Sequence, residues 1–301
     1  MPLGAHMSIA GGIARSFARG EQVGCEAMQI FSKNDRQWKA KPYTPDDVAA
    51  FKAEQARTGI APVIVHCSYL VNLAAAADEL WEKSIAAFTD ELERCALLGI
   101  PAIVVHPGAH TGSGEENGLR READALNRLF DAGIGAGVTV LLENTAGQGT
   151  ALGWRFEHLA RLLELVTRRE RLGVCLDTCH LLAAGYDIRT ADTYAATMNE
   201  FARVVGLEQL KAWHLNDSQK DLGSRVDRHT HIGEGCIGLE AFRLLLNDAR
   251  FADLPMIIET PKGKDMTEDV ENLARLRSLV QGSAKPDILP PSSQSTLSDE
   301  I

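Results

Sequence analysis

Long apolar runs, paired cysteines and an excess of basic residues are all missing from this 301-residue chain. No stretch approaches the length of apolar residues that a bilayer-spanning helix requires, so a membrane role is not expected. The first residues, MPLGAHMSIAGG, show no basic region followed by an apolar core, so no export signal is expected either. The six cysteines (Cys25, Cys67, Cys95, Cys175, Cys179 and Cys236) include no C-x-x-C pair and are too sparse for a disulfide scaffold. A reducing cytoplasm is the expected compartment, with the thiols as small apolar fillers. Lysine and arginine number 31 against 41 aspartates and glutamates, a net charge of -10. That balance argues against a broadly phosphate-coating surface.

The distribution of charge is more informative than its sum. The segment SKNDRQWKAK carries Lys33, Arg36, Lys39 and Lys41 against Asp35 alone, and Lys262 and Lys264 follow a later apolar run. Acidic residues gather instead in helical segments, among them Glu115, Glu116, Glu122 and Asp124.

What the chain does have is a repeated pattern. The runs LGAH, PVIVH, AIVVH, VTVLLE, LGVCLD, LKAWH and PMIIE are aliphatic or β-branched, and each stops at a residue able to hold a metal: His6, His66, His106, Glu143, Asp177, His214 and Glu259. An eighth apolar run, CEAMQIF, has no such terminus. Between the runs lie helical periods. Thr44 before Pro45 reads as a helix start and Gly59 as its stop. Trp81, Ile85, Phe88, Leu92 and Cys95 mark a helix over 80–98 closed by Gly99. Further helices are expected near 119–133, 156–166, 191–205, 239–249 and 267–280. Strand and helix alternate, and no linker divides two domains. Alternation alone also fits an open doubly wound sheet, but there the strand ends would be strung along an edge. A (β/α)8 barrel gathers them at one mouth, so a single-domain barrel over residues 1–282 is the expected fold. The Ser/Pro-rich tail, residues 283–301, is expected to be disordered.

Imidazole and carboxylate sets of this kind suit zinc or manganese. Two more groups add donors in expected loops: Asp177-Thr-Cys-His180 and Asp227-Arg-His229. Seven donors at strand ends are hard to explain as independent core or capping residues, although each alone has such an explanation. His110, His158 and His231 fall outside the pattern. His6 is expected to stand beside the metals as a supporting residue, not a direct ligand.

The segments HCSYLVNLA, VVHPGAHTG, LLENTAGQGT, CLDTCHLLAAGYD, HLNDSQKDLGSRVDRHTHIGEGCIG and IIETPKG resemble those of the endonuclease IV family of apurinic/apyrimidinic endonucleases. The likeness runs from LGAHMSIAGG almost to Gly282. It implies a TIM barrel holding three zinc ions, with manganese as an alternative at one or more sites. Position by position, it puts His66 and His106 on a first ion, with Glu143 bridging to a second completed by Asp177, His214 and Glu259. His180, Asp227 and His229 would hold the third. Glu143 is the expected catalytic residue, orienting the attacking hydroxide as well as binding metal. Arg36, Gln37, Tyr69 and Leu70 are the expected DNA contacts, entering double-stranded DNA where a base is missing. The implied reaction is hydrolysis 5′ to an abasic site in base excision repair, by a cytoplasmic monomer with no membrane partner. A metal-dependent sugar isomerase or epimerase on the same barrel is the alternative, and a catalytically silent DNA- or metal-binding scaffold a third class.

Overall fold

The structure, a computed structural model, describes residues 1–281. The expected tail, 283–301, and the last position of the expected barrel domain lie outside the described residues. In chain order the strands are β1 (Leu3–Met7), β2 (Ala27–Phe31), β3 (Val63–His66), β4 (Ala102–Val105), β5 (Thr139–Glu143), β6 (Leu172–Asp177), β7 (Leu210–His214), β8 (Asp217–Ser218), β9 (His229–Thr230) and β10 (Met256–Ile258). Eight of them close into a parallel barrel in the order β1-β10-β7-β6-β5-β4-β3-β2, while β8 and β9 form a separate antiparallel pair. The chain is a single-domain TIM barrel. No helix among the described residues is long and apolar enough to cross a membrane.

The helices are α1 (Arg15–Val23), α2 (Pro45–Thr58), α3 (Asp78–Leu98), α4 (Glu115–Asp131), α5 (Phe156–Leu165), α6 (Thr178–Ala184), α7 (Ala191–Val204), α8 (Leu239–Leu246) and α9 (Thr267–Ser278). Local chemistry sets their ends. Thr44 accepts from the Asp47 amide and Asp47 answers to the Thr44 amide, a reciprocal cap reinforced by Pro45, and Gly59 stops α2 at φ 69°. Gly99 stops α3 at φ 76°. Two helices escape the sequence pattern. α1 has no side-chain cap at Ala14, and α6 is a seven-residue helix that leaves β6 without a loop, capped by the Asp177 carboxylate.

Side chains alternate in and out along each strand, and the barrel sorts them into two cores. The outward residues pack under the helices in one large cluster that includes Phe17, Phe88, Phe130, Phe201 and Phe242. The inward residues form a separate small cluster of Ala27, Ile64, Ala102, Val104, Leu141, Cys175, Ala212 and Ile257. Gly4 belongs to the same inner level. A Cβ there would lie 1.7 Å from the Ala27 carbonyl oxygen, so only glycine lets β1 sit against β2.

Candidate metal centre

Stepping two residues along each strand from this apolar plug keeps the side chain facing inward. Ile64 leads to His66, Val104 to His106, Leu141 to Glu143, Cys175 to Asp177, Ala212 to His214 and Ile257 to Glu259. Gly4 leads to His6 and Ala27 to Gln29. One polar side chain therefore rises from every strand at the C-terminal mouth, and the eighth, Gln29, is the one the sequence pattern missed. His106 and Glu259 lie one residue past the ends of β4 and β10, and His6 one residue inside β1.

The structure brings the nine expected donors together in overlapping groups whose ligand atoms lie within 4.8 Å of one another. His66, His106 and Glu143 form one; Glu143, Asp177, His214 and Glu259 another; His180, Asp227 and His229 a third. Asp177, Cys179 and His229 also meet this criterion, but burial raises the Cys179 thiol to about 12, which disfavours a thiolate there. Glu143 is the hub. Its Oε2 lies 3.1 Å from His66 Nε2 and 3.2 Å from His106 Nε2, and its Oε1 lies 3.0 Å from His214 Nδ1 and 3.3 Å from His180 Nδ1. Two of the expected loop donors stand on regular structure instead: His180 is on α6, and His229 opens β9. Asp227 does lie in a loop, with Oδ2 3.2 Å from His180 Nε2 and Oδ1 3.2 Å from His229 Nε2.

Partners on the far side of each donor set its orientation. His66 Nδ1 bonds the Cys67 carbonyl at 2.7 Å, and His180 Nδ1 bonds the Asn144 carbonyl at 2.8 Å, which turns both Nε2 atoms toward acids. Asn216 donates to Asp177 Oδ2 at 2.6 Å and accepts from the Glu259 amide at 2.8 Å. Asp177 Oδ1 meanwhile caps α6 through the His180 amide, so one carboxylate serves both helix and site. Gln29 accepts at Oε1 from His214 Nε2, 2.8 Å away, and its Nε2 donates to Glu259 Oε1 at 2.5 Å and His6 Nδ1 at 3.0 Å. His6 thus stands behind Glu259, 3.5 Å from it. Asn144, Asn216 and Gln29 were not among the expected residues. The available signal was an amide inside or directly after an apolar run.

Burying this much carboxylate is costly unless positive charge answers it. Burial opposes ionisation of Glu143, yet His214 and His106 hold its carboxyl well below the usual range. Glu259 is depressed in the same way, against burial, by His214 and His6. Burial alone would discharge His229, but Asp177 and Asp227 raise it to about 9. A field that favours positive charge at buried imidazoles is the field a dication fits. His229 Nε2 makes the fit specific, because it is buried, makes no hydrogen bond, and lies between Asp227 and Asp177, 3.8 Å from the latter.

Above the donors a cavity of about 290 Å³ opens, lined by His66, Tyr69, His106, Gln148, His180 and Asp227 among others. Tyr69 is 59% exposed, its ring centroid 5.1 Å from that of His66 and 5.9 Å from that of His106. Arg36 and Gln37 are exposed on the loop after β2, and Leu70 is half-buried beside Tyr69. Lys33, in the basic segment after β2, is 4% exposed.

A family model described as a xylose isomerase-like TIM barrel matches residues 17–279. "Probable endonuclease 4" of Chloroflexus aurantiacus is 69% identical over 280 residues, covering 93% of this chain and 98% of that protein. Its counterpart in Geobacter sulfurreducens is 52% identical over 279 residues, covering 93% and 94%. Among solved structures, endonuclease IV from Thermus thermophilus superposes with a TM-score of 0.82 at 42% identity, over 93% of this chain and 98% of that one. A D-tagatose 3-epimerase-like protein reaches 0.69 at 19% identity over 93% and 98%, a likeness of fold alone. With identity sustained along the barrel and the donor-bearing strand ends within it, the chain belongs to the endonuclease IV family.

Proposed function

We propose that the protein is a zinc-dependent AP endonuclease of base excision repair. It hydrolyses the phosphodiester 5′ to an abasic site in double-stranded DNA, leaving a 3′-hydroxyl and a 5′-deoxyribose phosphate. The observation that carries this reading is the sharing of Glu143 between two donor groups, with a third group alongside and an exposed tyrosine above them.

His66, His106 and Glu143 would hold one ion, Glu143, Asp177, His214 and Glu259 a second, and His180, Asp227 and His229 a third. When bound, such ions supply Lewis-acid polarisation of phosphoryl oxygens and an acidified water. The chain's own part is orientation. Glu143, fixed by imidazoles on both oxygens, is kept ionised and aimed across the site. Four donor carboxylates against three dications leave the centre net positive, matched to an anionic phosphodiester. No serine, cysteine or histidine need act as a covalent nucleophile.

A missing base offers no edge to read, so recognition rests on opening the duplex. Tyr69 and Leu70 would enter the stack, while Arg36 and Gln37 contact the strand from the neighbouring loop. Work on chromosomal DNA would make this a cytoplasmic enzyme, and each site is built from one chain, as a monomer requires. Manganese in place of zinc at one or more positions is compatible with the donors.

The test is a labelled duplex carrying one tetrahydrofuran abasic analogue, with elemental analysis of the same protein. The expected result is incision on the 5′ side, abolished by chelation, with about three zinc ions per chain. Intact duplex together with epimerisation of a ketose would overturn the nuclease reading in favour of the sugar isomerase alternative.

A further inference from the structure

The loops after β2 and β3, residues 32–44 and 67–77, carry the four residues assigned above to DNA. Both rest on one buried charged cluster on α3. Lys33 and Glu91 each have side chains 1% exposed, with Nζ 3.7 Å from Oε1. Lys33 Nζ also donates to Asp90 at 3.1 Å, to the Ala87 carbonyl at 3.3 Å and to the Trp38 carbonyl at 3.4 Å. Glu91 accepts from the Ser68 amide at 3.1 Å through Oε1 and from the Ser32 hydroxyl at 3.1 Å through Oε2. One carboxylate therefore grips both loops. Arg94, paired with Asp90 at 3.0 Å, reaches the Ala40 and Lys41 carbonyls at 3.2 and 2.9 Å. The loops are also joined directly: Ser68 Oγ donates to the Asp35 carbonyl at 2.5 Å and accepts from the Leu70 amide at 3.3 Å.

A purely structural purpose would be served as well by apolar residues, since a buried ion pair gains little over a well-packed hydrophobic replacement. What charge supplies is direction. The acceptors and donors of the cluster fix the height of Asp35 and Trp38 relative to Ser68, and so the spacing between Arg36 with Gln37 on one loop and Tyr69 with Leu70 on the other. We infer that Lys33 and Glu91 are positioning residues for lesion recognition: their pair holds the two loops in the shape that opens duplex DNA, before DNA arrives. The inference rests on the assignment of those loops to DNA. It gives Lys33, buried beneath its own loop, and Glu91, which no metal or DNA role claims, a part in substrate affinity.

Loops that hold the binding shape only a tenth of the time would bind about tenfold more weakly, with the bound complex unchanged. The expectation for Lys33→Met is thus an approximately tenfold rise in Kd for the abasic-analogue duplex by fluorescence anisotropy. Its single-turnover incision rate at saturating DNA stays within about twofold of wild type, because the occupied complex is the same. Metal content stays unchanged. In Lys33→Met/Glu91→Gln the amide still accepts from Ser68 and bonds Ser32, with no buried charge left unpaired, so Kd should recover most of the loss. Unchanged Kd in Lys33→Met overturns the inference. So does a loss of metal and incision rate in step with affinity, or a double variant no better than the single. Tyr69→Ala/Leu70→Ala serves as the reference: if that variant binds the abasic duplex as wild type does, the loop assignment itself fails, whatever Lys33→Met does.

Discussion

Two levels of the same barrel interior, two residues apart on every strand, do opposite things. The lower level (Gly4, Ala27, Ile64, Val104, Leu141, Cys175, Ala212, Ile257) is small and aliphatic and closes the barrel by packing. The upper level (His6, Gln29, His66, His106, Glu143, Asp177, His214, Glu259) is polar, and its two glutamates are held ionised by surrounding imidazoles. Stability and chemistry are thereby separated along the strand axis. The lower level spaces the strand ends, and the upper level exploits that spacing.

Substitutions can break this division or sharpen it. The largest effect is expected at Glu143, where Glu143→Gln should lower incision of an abasic duplex by about 10³-fold or more while the cooperative unfolding of the chain is retained. Loss of the fold would mean the two levels are not separable. Below the same strand end, Leu141→Ala should cost roughly 3 kcal/mol in urea unfolding yet leave metal stoichiometry intact. A fully stable variant lacking metal would invert the assignment. His229→Ala removes the donor whose Nε2 lacks a hydrogen bond, and is expected to lose one ion per chain and about a hundredfold in turnover. Wild-type cleavage with two ions would strike that donor from the set. Gln29→Leu tests the eighth strand end, since it touches His214, Glu259 and His6 at once. A drop of roughly 10- to 100-fold in metal affinity is expected, read by competition with a chelating dye.

The smallest effect is on pH dependence. With its pKa raised from 6.5 to about 9 in the metal-free fold, His229 contributes stability that is full below about pH 6.5 and lost as pH rises through about 9. Dications require neutral imidazole, so loading should remove this loss. Unfolding midpoints of chelated protein should fall between pH 6.5 and 9 while those of loaded protein do not. Parallel curves would show that the imidazoles are not where the ions sit.

The barrel and most of its ring were legible because aliphatic runs ending in His, Asp or Glu combine two readable signals, a strand and a donor. Gln29 was not, since an amide inside CEAMQIF looks like an interruption of an apolar run, and its role exists only through contacts with β1, β7 and the residue after β10. His180 was found as a donor but given the wrong setting: a seven-residue helix springing directly from a strand has too few residues to show a period. Glu91 and Arg94 were hidden because the apolar positions of α3 define its buried face by period alone. The burial of Lys33 was not legible, because local sequence reports charge but not depth.

Closure of the barrel has a consequence for how the protein is made. β10 is the strand that seals β1 to β7, and Glu259 comes immediately after it. A polypeptide still leaving the ribosome can thus present eight of its nine donors on or beside strands that pair with their chain neighbours, while the long-range pairing that completes the ring is the last to become available. The donor set is therefore complete only once the closing strand has emerged.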